Sequence, residues 1–166
     1  DEAGLLYYLG TRGLSAPYVN PHIVGAVAVS WSSQGAGELS SFVSHTNVND
    51  YSYTGNSSNS WMAVDIGSGR EFRPTGYSLR HDMMGQRGVL RNWWFQARRN
   101  DGDWEVLSTH IADGSLTVVA GSEAYFPLPE KELKGYQHFR ILQTGLNSSG
   151  KHRLSCAGFE LFGLLC

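Results

Sequence analysis

The sequence has little of what several function classes require. Cysteine is scarce: only Cys156 and Cys166 occur in 166 residues. Two cysteines are too few for a disulfide scaffold. They form no Cys-x-x-Cys pair, and they would pair with each other only if the tail folded back. Long apolar runs are missing. Residues 23–29 are typical of the longest, far short of the roughly 18 residues a membrane-spanning helix needs. The first residues, Asp1-Glu2-Ala3, carry no charged-then-apolar leader. Charge of one sign is missing too, since 13 basic and 15 acidic residues leave a net of -2. No global basic field draws the chain to nucleic acid, and no acidic excess makes a solvating tail. The expectation is a chain that binds neither nucleic acid nor membrane.

Catalytic and metal motifs are equally sparse. There is no Gly-x-Ser-x-Gly elbow and no phosphate-binding glycine loop ending in Lys-Ser/Thr. The six histidines, at 22, 45, 81, 110, 138 and 152, show no His-Glu-x-x-His or other tight metal spacing. No cofactor and no metal are expected. A Cys/His nucleophile pair stays open on sequence alone. So does acid/base work by Asp65 and Asp82, although Asp65 stands before Ile66-Gly67, where a strand-end turn role is the simpler reading.

What is present is an ordinary core. Hydrophobic residues make up 41% and aromatics 12%, enough to exclude intrinsic disorder. The length fits one domain over residues 1–166, expected to belong to a larger chain. Apolar residues alternate rather than follow a helical period. Tyr77, Leu79 and His81 share one face, as do Phe139 and Ile141, and Phe159 and Leu161. Period 2 with aromatic and branched residues predicts half-buried strands. These fall near 4–10, 25–32, 61–66, 75–82, 92–99, 104–111, 123–127, 137–144 and 155–163. One short helix is expected near residues 38–43. Arg99-Asn100-Asp101-Gly102-Asp103 predicts a hairpin turn between two aromatic strands. Many short strands at this spacing predict an all-β antiparallel sandwich of jelly-roll type. Residues 44–60 form a polar stretch long enough to be a functional loop.

A family resemblance rests on particular residues. Trp61-x-x-x-Asp65-Ile66-Gly67 is similar to the W-x-x-x-D-L-G signature of discoidin-like, coagulation factor 5/8 type C domains. Tyr77-x-Leu79-Arg80-His81 follows at the expected strand. Arg91-Asn92-Trp93-Trp94-Phe95-Gln96, then Asp101-Gly102-x-Trp104 and Leu107, resembles the family's central hairpin, with one residue fewer between Gly and Trp. Residues 145–163 resemble its closing strand. Leu5-Leu6-Tyr7-Tyr8-Leu9-Gly10-Thr11 and Tyr18-Val19-Asn20-Pro21 resemble the intracellular subgroup found in HECT-type E3 ubiquitin ligases and plant BTB/POZ proteins. The resemblance covers nearly the whole chain. It implies a galactose-binding-like β-sandwich that binds rather than catalyses, while fold alone does not choose the ligand. Extracellular members usually tie their termini with a disulfide. Both cysteines here lie near the C-terminal end, which favours a cytoplasmic or nuclear location. Some sandwiches of this class hold a structural Ca²⁺, for which Asp50 is a stray acid.

Three loops should gather at one end of such a sandwich: residues 46–60, 80–92 and 147–153. They carry the candidate binding residues Tyr51, Tyr53, Asn56, Arg80, His81, Arg87, Arg91, Asn92, Lys151, His152 and Arg153. Ten of the thirteen basic residues are arginine, whose planar fork suits carboxylates and backbone carbonyls. Tyr51, Tyr53, Met83 and Met84 add adaptable apolar contact. The mix suits an acidic or carboxylate-bearing peptide of a protein partner, and a neutral hexose less well. Structural roles compete at several positions. Arg80 is either a ligand contact or a partner of Asp82 or Glu160. His81 reads first as a core histidine. Arg91 and Asn92 cap the loop or touch ligand, and Lys151-His152-Arg153 is a contact or a solvated turn. Trp61, Trp93 and Trp104 are expected in the core, with Trp94 pointing outward. Asn56 and Asn147 fit the glycosylation sequon, which matters only in a secreted chain. Two other readings remain open. One is a carbohydrate module built on Tyr51, Tyr53 and Asn56. The other is an architectural domain packing against neighbouring domains through Trp94 or Tyr8.

Overall fold

The computed structural model describes residues 4–45, 50–83, 85, 87–129 and 134–166. The chain order is α1 (Leu5–Gly10), β1 (Ala28–Trp31), β2 (Ala36–Gly37), a 3-10 turn (Leu39–Val43), β3 (Ser52–Tyr53), β4 (Trp61–Asp65) and β5 (Phe72–Arg80). It continues with β6 (Trp93–Arg98), β7 (Glu105–His110), β8 (Glu123–Pro127), β9 (His138–Gln143) and β10 (Phe159–Leu165). A five-stranded sheet, β1-β4-β9-β6-β7, faces a three-stranded sheet, β10-β5-β8; β2 and β3 form a separate pair. Every pairing is antiparallel. The fold is the expected antiparallel β-sandwich.

The alternation in the sequence builds it. Along β9, Phe139, Ile141 and Gln143 are buried while His138, Arg140 and Leu142 are half-buried on the other face. In β6, Trp93 is fully buried and Trp94 is 37% exposed. The inner faces meet in an aromatic core: Tyr77 of β5 stacks on Phe95 of β6 with ring centroids 4.2 Å apart, and on Phe126 at 5.2 Å. Phe42 of the 3-10 turn stacks on Phe159 at 4.9 Å. A polar thread runs through this core. Trp93 Nε1 donates to Tyr77 Oη at 3.0 Å, Tyr77 Oη meets His110 Nε2 at 2.9 Å, and His110 Nδ1 meets Asp113 Oδ2 at 2.8 Å. Burial pushes the Tyr77 phenol up to about 12, so it stays a neutral donor and acceptor.

Three expectations need correction. Residues 4–10 are not a strand; Leu5–Gly10 is a helix that buries Leu5, Leu6 and Leu9. Two aromatic residues in a row read as strand, but the apolar spacing at 5, 6 and 9 suits one helical face. A remote group holds its first turn. Glu160 of β10 accepts from Leu6 N at 2.7 Å and Tyr7 N at 3.0 Å. Gly4 is needed there, since a Cβ would fall 2.2 Å from the Glu160 side chain. Trp61 and Trp104 are half-buried on the outer face, not in the core. Trp61 is out of phase with inward Met62 and Val64. Trp104 is held by cations, with Arg140 Cζ 4.1 Å and Arg98 Cζ 5.0 Å from its ring centroid. Glu160, occupied by α1 and by His45 Nε2 at 2.7 Å, is not the partner of Arg80. The 3-10 turn, the hairpin after β6 and the outward Trp94 are as the sequence predicts.

Candidate functional site

The register places the N-terminal ends of β4, β6 and β10 beside the C-terminal ends of β5 and β9. The loops that leave this end are tied together by hydrogen bonds. Thr54 N donates to Leu154 O at 2.9 Å, and Leu154 N to Thr54 Oγ1 at 3.0 Å. Val89 N donates to Ser148 Oγ and Gly88 N to Ser149 Oγ, both at 2.9 Å. Asn56 Oδ1 accepts from His152 N at 2.8 Å. The 147–153 loop is organised by Asn147. Its Nδ2 donates to Arg153 O at 3.0 Å, and its Oδ1 accepts from Ser149 N at 2.9 Å and Lys151 N at 3.0 Å.

Between these loops lies a cleft of about 560 Å³. Tyr51 and Tyr53 line one side, Gly85, Arg87 and Gly88 another, and Asn147, Ser149, Lys151 and Arg153 a third, with Asp82 and Ser155 also in the lining. Arg87, Lys151 and Arg153 are exposed, and none forms an ion pair among the described residues. The Arg153 guanidinium lies over the Tyr53 ring, 5.0 Å from its centroid, which orients the planar fork. Asp82, 4% exposed, accepts from Ser155 Oγ at 3.4 Å. Three cations therefore face one buried carboxylate, and the cleft favours anions.

The structure thus brings together five of the expected residues: Tyr51, Tyr53, Arg87, Lys151 and Arg153. It leaves the others outside the cleft. Arg80 Nε donates to Ala157 O at 2.7 Å, and its guanidinium lies 3.6 Å from Asp50. Asp50 also accepts from Ser44 Oγ at 2.7 Å. Arg91 holds the carbonyl of Leu116 at 2.5 Å. Asn92 donates to Leu146 O and accepts from Ala112 N, both at 2.9 Å. His81 is 1% exposed. Burial lowers its pKa and the Arg91 charge adds to this, against the backbone at Gly85 and Arg87. His152 is half-buried beside Asn56, and Met83 is half-buried, packed against Gly121. Met84 and residues 46–49 lie outside the described residues. Sequence reasoning missed Ser149, Ser155 and the organising role of Asn147; the Asn147-Ser148-Ser149-Gly150 turn signal was their trace.

Among the described residues, no three His, Cys, Asp or Glu side chains converge as metal ligands. Cys156 is buried and its thiol is pushed up to about 12 by burial, so it is not a nucleophile at neutral pH. Asp65 accepts from Gly67 N at 2.8 Å, the turn role its position suggests. A groove of about 660 Å³ on the three-stranded sheet, between α1 and β10, has no charged side chain in its lining. Among the described residues, no helix is long and apolar enough to cross a membrane.

No protein-family model matches the chain. Curated relatives do. The chain is 38% identical over 170 residues to a segment of E3 ubiquitin-protein ligase Ufd4 of Drosophila melanogaster. It is 37% identical over 167 residues to a segment of E3 ubiquitin-protein ligase hecd-1 of Caenorhabditis elegans. Each match covers 98% of this chain but 6% of the ligase. A third, 28% identical over 176 residues, covers 98% of this chain and 21% of BTB/POZ domain-containing protein At2g30600 of Arabidopsis thaliana. Among solved structures, CpGH89CBM32-5 of Clostridium perfringens, in complex with GalNAc-β-1,3-galactose, has a TM-score of 0.65 at 13% identity, covering 84% of this chain and 96% of that one. The family 32 CBM of C. perfringens NanJ, in complex with galactose, has a TM-score of 0.62 at 13% identity, covering 82% and 93%. At such identity the likeness speaks for the fold alone.

Proposed function

We infer that this chain, a discoidin-like sandwich domain of the group it shares with segments of two E3 ubiquitin-protein ligases and a BTB/POZ protein, is a non-catalytic recognition module. Its ligand is an acidic or carboxylate-bearing peptide of a protein partner, bound in the loop cleft. The observation that carries this reading is the convergence of Arg87, Lys151 and Arg153, without ion-pair partners among the described residues, on one cleft walled by Tyr51 and Tyr53. Arginine forks grip carboxylates in two places at once, and tyrosines give contact area at low entropic cost. Hydrogen bonds between residues 54–56, 88–89 and 148–154 already hold these parts of the loops together, which lowers the ordering cost of binding there. The ligase relatives suggest that the partner is a ubiquitination substrate met in the cytoplasm or nucleus.

Each charge-assisted hydrogen bond is worth about 1.5–3 kcal/mol. Losing two therefore weakens binding roughly a hundredfold or more. Arrays of acidic peptides beside their Gln/Asn counterparts, probed with the wild type and the Arg87→Ala/Arg153→Ala variant, test this directly. Acid-dependent binding lost in the variant supports the cleft. Equal binding by both proteins removes it. A carbohydrate reading has its own support in the Tyr51 and Tyr53 platform and in sugar complexes of structural neighbours. A glycan array showing millimolar binding abolished by Tyr53→Ala would install it instead.

A further inference from the structure

A second surface lies on the outer face of the five-stranded sheet, with none of the residues that line the cleft. Register sets it out in rows. Trp61, Leu142 and Trp94 are cross-strand neighbours on β4, β9 and β6. The next row holds Ala63, Arg140 and Gln96, and the next Asp65, His138 and Arg98. Trp94 is 37% exposed, and Trp61 and Leu142 are half-buried. Beside this apolar row, Arg140 and Arg98 both stack on the Trp104 indole, at 4.1 and 5.0 Å.

The two guanidiniums are held in place but not neutralised. Arg140 Nε donates to Gln96 Oε1 at 2.7 Å. Arg98 Nε is buried with no hydrogen-bond partner. Neither arginine pairs with a carboxylate among the described residues. Asp65, the acid on this face, serves Gly67 N and lies 3.8 Å from His138. Burial and the neighbouring Arg98 charge both lower the Arg140 pKa. Two like charges on one indole, with no carboxylate paired to either among the described residues, repel each other and are relieved by an incoming anion. Tryptophan and arginine beside each other are also the residues that dominate protein interfaces.

We propose that this face is a protein-docking surface whose partner inserts an Asp or Glu side chain between Arg98 and Arg140 and lays an adjacent apolar side chain on Trp94, Leu142 and Trp61. The occupant follows from charge complementarity: two guanidiniums without a carboxylate partner among the described residues call for a carboxylate, and the apolar row of Trp61, Leu142 and Trp94 for an apolar neighbour. The surface is independent of the loop cleft, because the two share no residue.

The test is selection of short random peptides on the 166-residue chain, with counter-selection on the Arg98→Gln/Arg140→Gln variant. Arg140→Lys is the second counter-selector, keeping the charge but losing the planar stack. Melting curves check both folds. The expected peptides carry Asp or Glu beside an apolar residue. They bind either variant at least about tenfold more weakly, as truncating a charge partner predicts. They lose affinity on Trp94→Ala and bind the Arg87→Ala/Arg153→Ala variant unchanged. Recovery of no peptide overturns the proposal, as does a consensus without an acid. So does a peptide set lost on Arg87→Ala/Arg153→Ala, which belongs to the cleft. Sedimentation showing a dimer abolished by Arg98→Gln/Arg140→Gln would assign the face to a second copy of this chain instead.

Discussion

Asn147 makes three side-chain hydrogen bonds, to Arg153 O, Ser149 N and Lys151 N, while only 6% exposed. At about 1 kcal/mol each, Asn147→Ala should cost about 2–3 kcal/mol. For a domain this size that lowers Tm by roughly 5–10 °C. The same variant should weaken peptide binding, because Lys151 and Arg153 lose their support. A melting curve beside a binding isotherm checks both. His81 makes a pH prediction. Its folded pKa lies below its unfolded value of about 6.5, so the unfolded state binds the proton more readily. Its contribution is therefore complete above about pH 6.5 and is lost as pH falls below that. His81→Leu should flatten the fall in stability between about pH 6.5 and 5. A denaturation series with an unchanged slope would refute this role. Residues at this scale were unevenly legible in the sequence. Arg87, Lys151 and Arg153 reach the cleft because they sit in loops with nothing local to bind. Arg80 and Arg91 looked the same in sequence, but their carbonyl partners, Ala157 and Leu116, are distant in the chain and set by folding.

Among the elements, strands announced themselves by alternation, as in β9, where each out-of-phase residue is the one facing away from the core. Helix α1 did not, because six residues span too few turns to show a period and its cap comes from β10 at the far end of the chain. Its dependence on Glu160 is testable. Glu160→Ala removes a carboxylate that accepts from Leu6 N, Tyr7 N and Leu161 N. The expected loss is about 3 kcal/mol or more, since buried donors are left unpaired. The amides of Leu6 and Tyr7 should exchange much faster than those of β4 or β6. Glu160→Gln, which keeps an acceptor, should fall between. Exchange at α1 equal to wild type in Glu160→Ala would show that packing of Leu5, Leu6 and Leu9 alone holds the helix.

At the scale of the whole molecule, the sandwich separates the packed core from the loops that form the cleft. The aromatic core of Tyr77, Trp93, Phe95 and Phe139 fixes the sheets, and the loops at one end are free to carry charge. The tryptophans show the limit of composition here: of Trp61, Trp93 and Trp104, only Trp93 is enclosed, because phase along the strand turns Trp61 outward and Trp104, just before β7, stacks with Arg98 and Arg140. The bound state should be salt-sensitive, since three exposed cations supply the attraction. The most direct measurement is the arginine Nε–H spectrum of the ¹⁵N-labelled chain, titrated with an acidic peptide selected on it. Binding in the cleft predicts saturable shifts of Arg87 and Arg153, with Arg80 and Arg91 unmoved. Saturation of binding with Arg87 and Arg153 unmoved would contradict the cleft as the site of recognition.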